Sequence, residues 1–155
     1  MILIHGFFLA VIPWVLVRSH FALSLRSIGY FQLISIPLVI LGAAFYVSSV
    51  SDFVRFGNGT LAAWDSPTEF VLRGGYRSVR NPMYVGMFLI LASEAVFFRS
   101  ARVFLYGIIL WISFHLFVVY HEEPVLRKKF GNVYEDYLRS VPRWIPLFRN
   151  PKAPR

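Results

Sequence analysis

The fold predicted for this sequence is an all-α integral membrane protein with about four transmembrane helices and a cytoplasmic C-terminal helical segment. Three observations predict it. Hydrophobic residues make up 57% of the 155 positions and charged residues only 15%, against roughly 25% charged in a water-soluble globule. The apolar residues gather in four blocks almost free of charge. The basic residues are sorted unevenly among the segments that join those blocks. The chain reads as a single membrane domain over 1–155. A helical hairpin scaffold occupies 1–50, and the turn-rich, chemistry-bearing part occupies 57–146.

Met1–Val17 and Gly29–Val50 contain no Asp, Glu, Lys or Arg. Pro82–Phe98 contains one, Glu94, and Val103–Tyr120 contains none. The blocks run 17 to 22 residues, and a helix needs about 20 to cross a hydrocarbon layer of roughly 30 Å. Pro13 is a point for a kink in the first block. That block lacks the basic start and small-residue cleavage site of a signal peptide, so a retained helix is expected.

Orientation follows from charge. Four crossings put Ser51–Asn81 and the tail beyond Tyr120 on one side, with twelve of the sixteen Lys and Arg residues. Arg18, Arg26, Arg99 and Arg102 fall on the other. Basic loops stay in the cytoplasm, so both termini and the long middle loop are expected there. In a prokaryote the membrane would be the plasma or inner membrane. Anionic headgroups account for the net charge of +8 more simply than nucleic acid does. The sequence has no cysteine, which excludes disulfides, thiolate metal sites and cysteine nucleophiles.

The connections carry turn and cap signals. "GNGT" at Gly57–Thr60 reads as a turn. "SPTE" at Ser66–Glu69 has the form of a capping box, with its helix ended by Gly74–Gly75. Asn81 followed by Pro82 starts the third apolar helix. Pro124 is expected to kink or break the fourth. "VLRKKFG" then reads as a short basic helix stopped by Gly131. "NVYEDYLRSV" starts again with Asn132 as cap and Glu135 in the capping-box position. Tyr134, Tyr137, Arg143 and Trp144 are the mixture found at a membrane interface.

Two constellations carry chemistry. At the start of the third apolar helix, free backbone amides, Arg77 and Arg80 form either an anion site or an interfacial anchor. At the end of the fourth lie Glu122 and Glu123, either salt-bridged at the surface or a socket for an ammonium or sugar hydroxyls. Trp111, His115 and Glu122 fall at steps of four and seven, on one face of a regular helix. Polar groups inside a membrane usually face a cavity or another helix. Glu94 reads as a neutral or arginine-paired carboxyl near Arg99 and Arg102. No His, Asp or Glu cluster has metal spacing, and the P-loop, GxSxG and GxGxxG patterns are absent.

"GGYRSVRNPMYVG" at Gly74–Gly86, a helical hairpin, and then "EEPVLRKKFGNVYEDYLRSVPRWIP" at Glu122–Pro146 together resemble the isoprenylcysteine carboxyl methyltransferase family. That family belongs to a wider group with the integral-membrane phospholipid methyltransferases. "GTLAAWDSP" at Gly59–Pro67 also resembles bacterial members. The resemblance implies a membrane methyltransferase that uses S-adenosylmethionine and no metal. It implies a cofactor held between the last two membrane helices and the C-terminal segment, and a lipid or lipid-modified acceptor arriving from the bilayer.

The matching cofactor positions are Tyr76, Arg80, Asn81, Pro82, Tyr84, Gly86, Glu122 and Glu123. His115 joins them from the helical face above. In this reading Arg80 and the helix start meet the cofactor carboxylate, and Glu122 and Glu123 meet the ammonium or ribose. Tyr84, Tyr120 or Trp111 meets adenine or the sulfonium. Arg80, Arg143 and Glu122 are the candidate catalytic residues, orienting a carboxylate acceptor or deprotonating an amine. Many eukaryotic members have His where this chain has Asn81, so no proton transfer is assigned there. Two other readings are an NADPH-dependent membrane reductase of the sterol-reductase type and a non-catalytic membrane scaffold.

Overall fold

The computed structural model describes residues 5–18, 29–56 and 72–147. All regular structure among them is helical. Helix α1 is Phe7–Val17, α2 Tyr30–Phe56, α3 Pro82–Phe97, α4 Ala101–Phe130 and α5 Asn132–Ser140. A 3₁₀ turn covers Gly74–Arg77. The "GNGT", "SPTE" and "GTLAAWDSP" signals lie outside the described residues.

Two helices, α2 and α4, are long and apolar enough to cross a membrane. Only 17% of the most apolar stretch of each is buried in the protein. Leu33, Ile34, Ile40 and Leu41 of α2, and Phe104, Leu105 and Ile109 of α4, are exposed. A core helix of a water-soluble protein hides such side chains. Here their solvent is lipid, as the charge-poor composition requires. Helices α1 and α3 are apolar but shorter.

The chain forms two compact units, each assembled from separate stretches. The first takes Met1–Ala44 and Gly86–Ser113, the second Phe45–Val85 and Phe114–Arg155.

In the first unit, α2 and α3 approach closely at Gly42. A Cβ there would lie 2.9 Å from the Gly86 carbonyl oxygen and 2.9 Å from the Ile90 amide nitrogen. Small residues permit such backbone approach where helices pack in lipid. Gln32, 3% exposed, satisfies two helix ends at once. Its Oε1 accepts from the Gly29 amide and its Nε2 donates to the Phe97 carbonyl. Ser93 donates to the Ser35 carbonyl at 3.1 Å. Val17, Ala95 and Val103 form a buried core with Leu16 and Phe98 packed against it. Glu94 makes no ion pair with Arg99 or Arg102 among the described residues, and its Oε2 is buried without a hydrogen-bond partner.

Two local expectations are corrected. Pro124 does not end α4. A π-helical turn at Val118–Glu122 leads directly into the α-helical Glu123–Phe130, where Pro124 occupies the first turn. The wider turn accommodates the ring and the missing N–H without a break. Asn132 is not a cap. Gly131, at φ +54°, holds that position, and no side chain caps α5. Glu135 instead pairs with Arg127 at 3.0 Å. The predicted stop at Gly131 is where α4 ends, since glycine adopts positive φ without steric strain.

Candidate functional site

The site is built within the second unit, from the backbone up. The segment after the 3₁₀ turn pairs with the C-terminal stretch. The Arg80 amide donates to the Pro142 carbonyl at 2.8 Å and the Leu147 amide to the Ser78 carbonyl at 2.9 Å. The Asn81 side-chain amide donates to the Arg143 carbonyl at 3.2 Å. Pro82 then starts α3, fully buried. Asn81 thus stands at the predicted helix start, with its side chain used as a tether to the tail.

The same unit holds an apolar cluster of Tyr134, Tyr137 and Val141, with Leu72, Leu126, Phe130 and Leu138 packed against it. The Tyr137 hydroxyl donates to the Tyr76 carbonyl at 2.7 Å. Tyr137 is 4% exposed. Tyr137→Phe should therefore destabilise by about 1–3 kcal/mol, because it strands an acceptor away from water. The midpoint of thermal unfolding in detergent reads this. An unchanged midpoint would show that the bond carries no stability.

The adjacent acids have different neighbours. Glu123, 3% exposed, is saturated by arginine. Arg80 Nη1 reaches its Oε1 at 2.8 Å; Arg143 Nε reaches Oε1 at 2.7 Å and Nη2 reaches Oε2 at 3.0 Å. Burial pulls the Arg80 guanidinium down from its ordinary range while Glu123 pulls it back up. Arg143, more exposed, is raised chiefly by its hydrogen bonds to Glu123.

Glu122 accepts from the Tyr84 hydroxyl, and its Oε2 is buried without a hydrogen-bond partner among the described residues. Tyr84, 7% exposed, packs its ring against Phe114 with centroids 4.7 Å apart. Burial pushes the Tyr76 phenol up, and the carboxylates of Glu122 and Asp52 push it further.

Tyr76, Arg80, Asn81, Pro82, Tyr84, Glu122, Glu123 and Arg143 therefore meet in one unit. Gly86 belongs to the other, where its carbonyl faces Gly42. His115 accepts at Nδ1 from the Trp144 indole at 3.0 Å. The π-helical turn adds a residue between His115 and Glu122, so the step of seven no longer returns to one face. Tyr120 is 77% exposed, which leaves Tyr84 as the buried aromatic of the group. Asp52 is the residue that sequence reasoning missed. Its only signal is a lone acid at the end of an apolar run.

The site combines buried tyrosines, an orphan carboxylate oxygen and a braced arginine pair. That set offers a hydrogen-bond acceptor, aromatic faces and fixed positive charge. The family model described as phospholipid methyltransferase matches residues 30–133. A protein-S-isoprenylcysteine O-methyltransferase of Schizosaccharomyces pombe is 36% identical over 78 residues, covering 50% of this chain and 33% of that protein. The match thus spans a third of the curated relative. No solved structure matches.

Proposed function

Because the chain belongs to the phospholipid methyltransferase family, we propose that it is an S-adenosylmethionine-dependent membrane methyltransferase acting on a lipid-associated acceptor. The observation that carries the cofactor assignment is the buried, unpartnered Oε2 of Glu122 beside Tyr76 and Tyr84. An enclosed acceptor without a donor is unfavourable until a ligand supplies one. A ribose hydroxyl fits that need. Tyr84 supplies an aromatic face of the kind that attracts a sulfonium or stacks on adenine.

When bound, S-adenosylmethionine supplies an electrophilic methyl group. The protein's part is alignment and exclusion of water. Glu123 holds Arg80 and Arg143 in fixed orientation, and Arg143, the more exposed of the two, can orient an anionic acceptor. A carboxylate acceptor needs no base. An amine acceptor would give its proton to Glu122 or His115.

The reading includes four crossings with both termini cytoplasmic. At 1.5 Å per residue, α2 is roughly 40 Å long, beyond the roughly 30 Å of hydrocarbon. Asp52 near its end then reaches the polar face, where a cytosolic cofactor arrives.

Titration calorimetry of the purified protein tests the cofactor. Saturable binding of S-adenosylmethionine and none of NADPH is expected. The reverse would establish the reductase alternative. Glu122→Gln should weaken binding by roughly tenfold to a hundredfold, as expected for a hydrogen bond to a charged group. Membranes given methyl-labelled cofactor should place the label in lipid or lipid-modified material. Base-labile label identifies a carboxyl ester.

A further inference from the structure

The site holds more negative charge than its sequence motifs account for. Asp52 lies near the end of α2, far in sequence from both "GGYRSVRNPMYVG" and the Glu122–Glu123 pair. Its carboxylate abuts Gly74, where a Cβ would collide with Oδ2. Gly74 also holds φ +51°, which an L side chain adopts only under strain. Two constraints thus keep this position bare next to a carboxylate.

Asp52 and Glu122 both lie close enough to the Tyr76 hydroxyl to push its ionisation up. Neither is in an ion pair among the described residues. The pairs there are Arg80–Glu123, Arg143–Glu123 and Arg127–Glu135. Both arginines of the site pair with Glu123, and Asp52 and Glu122 stand near the half-buried Tyr76 outside those pairs. In surroundings of reduced dielectric, a ligand cation placed beside such a carboxylate is attracted more strongly than in bulk water.

The two acids suit different groups. Glu122 Oε2 is enclosed, which favours a neutral hydroxyl donor over a full charge. Asp52 stands against Gly74, which is exposed. That open edge admits a charged group that keeps part of its water.

We propose that Asp52 binds the ammonium of the amino-acid end of S-adenosylmethionine, with Gly74 keeping the carboxylate in place. The inference rests on the cofactor reading above. It assigns a cation-binding role to a residue outside the recognised motifs. It also moves amino-acid recognition from Glu123, which the arginines occupy, to α2.

Binding to the purified full chain in detergent tests this with three ligands: S-adenosylmethionine, S-adenosylhomocysteine and 5′-methylthioadenosine. The first two carry the amino-acid group and the third lacks it. Asp52→Asn should weaken the first two by about tenfold or more, the loss of one charge-assisted hydrogen bond. It should leave 5′-methylthioadenosine within twofold, measured by direct titration or by competition at millimolar concentration, with an unchanged unfolding midpoint. Equal weakening of all three, or of none, overturns the Asp52 assignment while the cofactor reading stands. A wild-type chain that binds none of the three overturns the cofactor reading and this inference with it.

Discussion

Glu123→Ala is expected to destabilise the protein by about 3–5 kcal/mol, the usual consequence of removing one member of a buried ion group. The carboxylate is 4% exposed at its side chain and is shared by Arg80 and Arg143. Without it, two guanidinium groups face each other with their counter-charge gone. The Arg127–Glu135 pair, with side chains 48% and 44% exposed, is the internal comparison. Glu135→Ala should cost less than about 1 kcal/mol. The measurement is the midpoint of unfolding for both variants in one detergent. Arg80→Met placed on the Glu123→Ala background should recover part of the loss, since it removes the charge left unpaired. Equal midpoints for Glu123→Ala and Glu135→Ala would sink the idea that the triad organises the site.

Gly42→Leu is the second large effect, at about 3 kcal/mol. A single added carbon already meets the Gly86 carbonyl and the Ile90 amide at 2.9 Å. Backbone atoms cannot rotate away as a side chain can, so α2 and α3 must separate along their contact. Overpacking typically costs about 1–3 kcal/mol, and this position lies at the upper end. Gly42→Ala should give a smaller loss in the same direction. A Leu variant with wild-type stability would mean that the close approach contributes nothing.

Much of the fold was legible because bilayer constraints write themselves into composition. A block of helix length with at most one charge has few alternatives, and blocks two to four appear as α2, α3 and α4. Gly131 was legible because helix ends leave a local chemical signature. The π-helical turn was not. Its extra residue has no sequence mark, and with it went the alignment of His115 with Glu122. The sequence also presented Glu122 and Glu123 as a pair with one role. Neighbours on a helix point about 100° apart, so one met tyrosines and the other arginines. Asp52 was invisible for a different reason. Its approach to Gly74 is tertiary, and no spacing rule joins them.

The interleaving of the two units bears on how the chain is made. Neither unit is a continuous stretch, so neither can fold to completion as it leaves the ribosome, in the domain-by-domain manner of many proteins. Arg80 is synthesised 43 positions before Glu123, and Asn81 62 positions before the carbonyl that receives its amide. Until the tail emerges, the arginine has no anion from Glu123 and its amide has no carbonyl from Pro142. Anionic lipid headgroups are the natural stand-in during that interval. Biogenesis of this protein should therefore be sensitive to the charge of the membrane into which it is inserted.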